Sequence, residues 1–360
     1  MPKETNLKAE NRDFFAAANS GRGFISFYNE IFNCERIERR YLIKGGPGTG
    51  KSTFMRRVAE EAENAGMHVE RYRCSSDPAS LDGVIINRKV AIIDSTAPHT
   101  VEPELVGARD ILVDLGRFWN EDGLYSECER IKTFTEKKKY AYSLAYRFLS
   151  SAMQSDIASR ELMMPYVNKN HLVRIVKRLT RSISSDGSYE CKIGLSRAIG
   201  MNGRCMLDTY LSLANKTIFI EEYYGIGNLV LCEICEEARN KGCRISISYD
   251  PLSPECLDSV FFEEGKILFM LSEPRKKGAV SLRRILDMAS LSKSEKNELK
   301  AKSRHAKRMS DALVLAATDE LKCAGKAHFE LEKIYRENMD FSALDLYTSR
   351  LIEEIIEFSW

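Results

Sequence analysis

Gly45-Gly46-Pro47-Gly48-Thr49-Gly50-Lys51-Ser52 decides the reading of this chain. It fits the spacing G-x-x-x-x-G-K-[ST] of a phosphate-binding loop, the P-loop. The apolar run Tyr41-Leu42-Ile43 precedes it. Ser52 to Asn64 follows, with helix-forming composition and apolar residues at Phe54, Met55, Val58 and Ala62. Strand, glycine loop and helix is the order the motif needs. The glycines let backbone N–H groups turn inward toward an anion, and the helix N-terminus adds partial positive charge. Lys51 is placed to reach β- and γ-phosphates, and Ser52 to ligate Mg²⁺. The candidate nucleotide contacts are Gly45, Gly46, Pro47, Gly48, Thr49, Gly50, Lys51, Ser52 and Thr53. A glycine-rich turn without a ligand leaves Lys51-Ser52 unexplained.

A Mg²⁺-nucleotide site also needs a carboxylate at the end of a neighbouring buried strand. Val90-Ala91-Ile92-Ile93-Asp94 has that form, four apolar residues and an acid where the strand emerges. The interval from Lys51 to Asp94 holds one helix and one expected strand, His68 to Cys74. Ser95 follows Asp94 where many ATPases carry a glutamate that polarises the attacking water, so the hydrolytic step lacks its usual base. Asp77 and His99 are secondary candidates, one after the middle strand and one in the loop beyond Asp94. Asp77 also suits an Asx turn in Ser75-Ser76-Asp77-Pro78, and His99 also suits a surface position.

The segment Ile218 to Leu229 overlies Tyr41 to Ser52 without gaps, with Lys51 on Asn228 at an offset of 177. A helix, a strand (Arg244 to Tyr249), a Pro-x-x-Leu-Asp (Pro254 to Asp258, offset 176) and a further strand (Ile267 to Met270) follow in the same order. A duplicated domain is expected. This comparison sets Gly48 on Gly225, Gly50 on Gly227, Ser52 on Leu229 and Asp94 on Met270. Glycines of the turn, the Leu-Asp pair and a late proline recur, so they serve the fold. The phosphate and metal groups do not recur, and Glu221-Glu222 adds negative charge, so the second copy is expected to be dead toward nucleotide.

The 360 residues allow two domains, and 44% hydrophobic with 29% charged content is that of an ordinary globular chain. A net charge of +2 supplies no field for nucleic acid or an anionic membrane. No apolar run approaches the roughly 20 residues of a membrane span. The polar, mixed start carries no secretory pattern, and a cytoplasmic location with reduced thiols is expected. Cys232-x-x-Cys235 falls in a helical pattern and reads as core packing. Ser126 to Thr180 and Leu291 to Phe358 read as helical appendages, one after each core. Basic runs at Lys137 to Lys139, Arg174 to Arg181 and Lys300 to Arg308 read as solvated faces, or as the source of a lid cation. Ser182 to Ser188 reads as the linker.

Gly45 to Thr53, Cys74-Ser75-Ser76-Asp77-Pro78 through Ser80-Leu81-Asp82-Gly83-Val84, and Asp94-Ser95-Thr96-Ala97-Pro98-His99 together resemble a family of duplicated bacterial P-loop ATPases of this length. The resemblance implies ATP at the Gly45–Ser52 loop and Asp94 as the second acid. That family often keeps a P-loop in its second repeat, from which Asn228 and Leu229 depart.

The expected fold is α/β, two tandem P-loop NTPase-like parallel-sheet domains, 1–185 and 186–360, each with a helical appendage. The expected chemistry is ATP hydrolysis at the first domain, with Lys51 and Asp94 central, Asp77 and His99 in support, and Ser52 and Asp94 on Mg²⁺. Small-molecule or nucleotide kinase activity and a non-catalytic nucleotide sensor are the alternatives. The expected partners are the nucleotide and either a protein or a small-molecule acceptor, without nucleic acid or membrane. Composition sets no oligomeric state.

Overall fold

The computed structural model describes residues 12–98, 100–185, 187–273 and 276–360. The first half contains β1 (Arg12–Phe15), β2 (Ala17–Ser20), β3 (Gly23–Ser26), α1 (Tyr28–Phe32), β4 (Arg39–Lys44), α2 (Lys51–Asn64), β5 (Val69–Arg73), β6 (Leu81–Ile86), β7 (Val90–Asp94), β8 (Asp110–Asp114), α3 (Glu121–Ser126), α4 (Cys128–Glu161) and α5 (Lys169–Leu179). The second half contains β9 (Glu190–Ile193), β10 (Arg197–Gly200), β11 (Gly203–Met206), α6 (Thr209–Leu213), β12 (Lys216–Glu221), α7 (Gly227–Lys241), β13 (Arg244–Tyr249), β14 (Leu257–Phe262), β15 (Ile267–Ser272), α8 (Lys293–Glu337) and α9 (Phe341–Ser359).

The architecture is mixed α/β. One sheet has the order β1-β5-β6-β7-β4-β8, and the other β12-β15-β14-β13-β9. The second repeats the order β4-β7-β6-β5-β1 of the first, strand for strand and sense for sense. The expectation of all-parallel sheets is corrected, because β6 and β14 each run antiparallel to both neighbours. Two strands, not one, separate α2 from β7. The cause is local. Cys74 N donates to Ser80 O at 3.0 Å and Ser80 N to Asp77 O at 2.9 Å, a tight turn that sends the chain straight back, and a hairpin is antiparallel by construction. Asp82-Gly83 disguises β6 in the sequence. Gly83 is required there, since a Cβ would lie 2.5 Å from the Phe32 ring.

Alternate residues of each sheet enter different cores, as strand geometry dictates. Tyr41, Ile43, Val84, Ile86 and Ile92 face α2, while Leu42, Ile85, Ala91 and Ile93 join Phe261, Leu268 and Met270 of the other sheet in a core shared by both halves. Phe15 and Leu195 join the halves directly, exchanging backbone hydrogen bonds of 2.8 and 3.2 Å.

The helical appendages do not stay with the sheets they follow. Leu344, Leu351, Ile352 and Ile355 of α9 complete the core of the first sheet and α2. Leu172 and Val176 of α5 complete the core of the second sheet and α7. Polar contacts fix the first exchange: Arg57 Nη2 donates to Ser349 Oγ at 3.0 Å, and Tyr41 OH to Glu354 Oε1 at 3.1 Å. The long helices α4 and α8 pack antiparallel through Ala145, Leu149, Ala152 and Met153 against Val314, Ala317 and Leu321. A boundary near 185 therefore divides the sequence but not the packing.

Strand β8 lies beside β4 through a buried ion pair. Arg40 Nε and Nη2 donate to Asp110 Oδ1 and Oδ2 at 2.6 and 2.8 Å, with both residues at 1% exposure or less. Burial alone would raise the Asp110 pKa, but Arg40 and the Glu104 and Leu105 amides outweigh it and hold the carboxyl well below the usual range.

Two outcomes follow in chemical denaturation. Ile355→Ala should cost about 2–5 kcal/mol, because it opens a cavity in a core on the opposite half. A change near zero would mean that α9 does not complete that core. Asp110→Asn should cost about 3–5 kcal/mol at pH 7 by leaving Arg40 buried without its counter-charge. Since the folded pKa of Asp110 is depressed, its contribution is present above the unfolded value and disappears as the pH falls below it.

Candidate functional site

The loop Gly45 to Gly50 joins the end of β4 to α2. Gly48 and Gly50 have φ of 69° and 84°, a left-handed backbone that favours glycine. Gly50 is the N-cap of α2 and offers no side chain to cap it, so no capping side chain takes the first helical amides. Thr49 is buried and its hydroxyl donates to Gly46 O at 2.9 Å, which pins the loop. Lys51 Nζ donates to Gly45 O at 2.9 Å and Gly46 O at 2.8 Å, and lies 3.8 Å from Asp94 Oδ2. Asp94 Oδ1 accepts from Thr96 N at 3.0 Å and Thr96 Oγ1 at 2.5 Å, so its second oxygen is turned toward the lysine.

Ser52 Oγ accepts from Leu81 N at 3.0 Å, which ties the start of α2 to β6 and leaves a lone pair for a metal. Pro47 is half-buried and Thr53 exposed. Asp77 is occupied in the β5–β6 turn, Oδ1 accepting from Ala79 N at 3.2 Å and Oδ2 from Ser80 Oγ at 3.1 Å. His99 lies outside the described residues. Ser95 is fully buried and its hydroxyl donates to Val101 O at 2.6 Å, so it offers no base beside Asp94. Among the described residues no three His, Cys, Asp or Glu side chains cluster to hold a metal. A Mg²⁺ held by one hydroxyl, one carboxylate and phosphate oxygens needs no such cluster.

The sequence reading missed the roof of this site, which comes from Trp119 and, for the most part, from the second half. A Cβ on Gly46 would meet the rings of Tyr335 and Trp119 at 3.1 and 3.2 Å, and one on Gly48 would meet Glu332 O at 2.7 Å. Gly50 faces Leu344 in the same way, at 3.4 Å. Only the absence of side chains on the loop admits the last turns of α8 and the start of α9. Nothing in the local sequence of α8 indicates which loop it covers.

The second loop corrects the ungapped comparison. Asn228 Oδ1 accepts from Leu257 N at 2.7 Å, the same bond that Ser52 Oγ makes with Leu81 N. The buried positions Phe54, Met55, Val58 and Ala62 of α2 fall on Val230, Leu231, Ile234 and Ala238 of α7. Ile43 pairs with Asp94 one residue before the end of β4, and Ile220 pairs with Leu271 one residue before the end of β12. Asn228 thus stands at the place of Ser52, Gly227 at that of Lys51, and Leu271 rather than Met270 at that of Asp94. The second loop is one residue shorter than the first, and an ungapped overlay cannot register a deletion inside the motif.

The shorter loop closes on itself. Glu222 Oε1 accepts from Gly225 N at 2.7 Å, and the carboxylate also accepts from the Gly227 amide. A carboxylate of the chain occupies the concavity where these amides would otherwise meet an external anion. Burial pushes the Glu222 pKa up to about 7, against the two amide bonds, with Asp250 raising it further and Lys307 opposing. Part of the side chain still reaches solvent, so the energetic effect is smaller than that of a sealed site. The Cys232–Cys235 pair is not uniformly buried: Cys232 is exposed, and burial pushes the Cys235 thiol up to about 12.

The Glu222 shift has a sign that can be measured. Its folded pKa lies above the unfolded value, so the folded state keeps a proton that the unfolded chain releases. Stability therefore falls as the pH rises from about 4.5 to about 7, by at most about 3 kcal/mol. Glu222→Gln should flatten part of the decline of Tm with pH between 5 and 8. Asp258, which burial raises to about 7 against Arg197, and Asp156, which burial also raises, add slope of the same sign. Identical pH profiles for the two proteins would contradict this placement of Glu222. No family model, curated protein or solved structure matches the chain.

Proposed function

We propose that the chain is a P-loop NTPase built from a duplicated unit, binding and hydrolysing Mg-ATP at the first glycine loop, with the second loop inactive. The observation that carries this reading is the position of Lys51. It sits at the uncapped start of α2, over a loop with two left-handed glycines, 3.8 Å from an acid on the adjacent strand. The matching strand order of the two sheets supports the duplication.

The Gly46 to Gly50 amides would receive the β-phosphate, and Lys51 would exchange its two carbonyl partners for phosphate oxygens. Ser52 and Asp94 would hold Mg²⁺, Asp94 directly or through water. The bound metal would neutralise charge on the transferred phosphoryl group. The residues fit that role without rearranging a strand, because Ser52 and Asp94 already flank Lys51 on adjoining elements. Phosphoryl transfer then rests on positioning and electrostatics.

Ser95 favours a second reading. It is buried and committed to Val101 O, so no carboxylate directly after Asp94 activates water, and a small molecule would be the acceptor. Labelled ATP with a metabolite pool separates free phosphate from a phosphorylated product.

Lys51→Ala should reduce turnover by roughly a hundredfold or more while leaving the fold intact, since Gly227 stands at that place in the other half. Asp94→Asn should keep nucleotide binding and remove most Mg²⁺-dependent turnover. Calorimetric titration with a non-hydrolysable ATP analogue and Mg²⁺ should give one site per chain. Turnover unchanged by Lys51→Ala would remove the site assignment, and two comparable sites would remove the reading of the second loop.

A further inference from the structure

Helix α8 belongs to the second half but ends over the loop of the first. A Cβ built on Gly48 would lie 2.9 Å from Arg336 Cγ, so the arginine stem rests on the middle of the glycine loop. His328, Glu332 and Arg336 recur every four residues and share one helix face. Glu332 leans back along that face, with His328 Nε2 at 3.5 Å from its Oε1. His328 first, then Arg336 and Lys51, hold its carboxyl below the usual range against burial. Arg336 is exposed, and among the described residues no carboxylate lies within ion-pair distance of its guanidinium.

The other half repeats the arrangement. Arg160, which stands 176 residues before Arg336, ends α4, and a Cβ on Gly225 would lie 2.9 Å from Arg160 Cβ. Each loop is thus covered by an arginine from the long helix of the opposite half. At the second loop Glu222 fills the amide concavity, and Arg160 Nη1 has turned to Cys256 Sγ at 2.8 Å. At the first loop no chain carboxylate fills the concavity, and among the described residues no hydrogen bond or ion pair holds the Arg336 guanidinium, whose charge is felt by Glu332. A second cation, Lys138 of α4, feels the charge of Lys51. Burial, and then Lys51, hold the Lys138 ammonium below the usual lysine range, with no described carboxylate in ion-pair distance.

We propose that Arg336 is the cation that the second half lays on the outer phosphate of a nucleoside triphosphate bound in the first loop, so that the site is complete only when both halves are assembled. The inference rests on the nucleotide reading above and adds the group that distinguishes triphosphate from diphosphate. A planar guanidinium offers paired N–H donors that match phosphate oxygens. A cation brought in from outside the loop acts on the charge of the transferring group.

The test uses the full chain with Mg²⁺. Affinities for a β,γ-imido ATP analogue and for ADP are measured by calorimetry for wild type, Arg336→Gln, Arg336→Lys and Arg160→Gln. Glutamine and lysine keep the stem that packs on Gly48, and unfolding midpoints check that the fold survives. Arg336→Gln should weaken the triphosphate analogue by about tenfold or more, the scale of a lost charge-assisted contact, with ADP within about twofold. Turnover should fall by about a hundredfold and be partly restored by added guanidinium. Arg336→Lys should lie between the two, and Arg160→Gln should leave the ratio of affinities at the wild-type value. If Arg336→Gln keeps the wild-type ratio and turnover while Lys51→Ala abolishes binding, the role of Arg336 is overturned and the nucleotide reading stands. If wild type binds neither nucleotide, both fall.

Discussion

The exchange of helices between the two halves is the constraint on which the rest depends. Each sheet has two apolar faces. One is spent on the core that both halves share, and the other is only partly covered by the helix that follows the glycine loop. The uncovered part of the first sheet is closed by α9, and that of the second by α5. Burying each aliphatic side chain of α9 contributes roughly 1.5–3 kcal/mol, and those side chains come from the opposite end of the chain to the strands they cover. The chain must therefore fold as one unit, with α4 and α8 running between the two ends of the molecule as the rigid part of the exchange.

Once the helices are exchanged, the two glycine loops meet different electrostatic problems with the same backbone. A left-handed glycine loop at a helix start presents N–H groups that need an acceptor. In the second half the acceptor is Glu222, held at 2.7 Å from Gly225 N. The carboxylate costs desolvation, visible in its raised pKa, and makes the loop self-sufficient. In the first half the corresponding stretch has no acid. Its lysine turns to the loop carbonyls instead, leaving the amides at the start of α2 uncapped. The second loop carries its own anion on its amides, whereas at the first the acids Asp94 and Glu332 stand beside the loop and face Lys51, and Arg336 comes in from α8. The second loop is one residue shorter and has Glu222 at the place of Gly45, and that carboxylate lies on the Gly225 amide.

The parts of this arrangement that were legible in the sequence are those set by local chemistry. Gly45 to Ser52 is read from the glycines and Lys51, and β4 and β7 from runs of apolar residues buried on both faces. The recurrence of elements is read from their order. Strand β6 was not legible because Asp82-Gly83 interrupts its apolar pattern, and Gly83 is there to admit Phe32, which is close only in three dimensions. Strand β8 was not legible because its partner is set by Arg40, 70 residues away. The offset between the loops was misread by one because the deletion falls inside the motif. The roof of Tyr335, Arg336 and Leu344 was invisible for a deeper reason. Helical periodicity shows which face of α8 and α9 is apolar, and says nothing about which sheet that face will meet.

That last gap bears on what the second half is for. The second half is built into the first whatever its own loop does, because its long helix supplies the ceiling of the other loop and its last helix supplies the other core. The state of the second loop and the architecture around it rest on different residues: Glu222 and Asn228 settle the loop, while Leu351, Ile352 and Ile355 hold the first half together. A change in the first loop that pushed on Gly48 would be felt directly by Glu332 and Arg336. Toward its other end α8 meets α4 at Ser303 and Ser159, the residue before Arg160. The long helix pair thus packs as one layer between the two loops, and each of its helices lays one arginine over the loop of the opposite half.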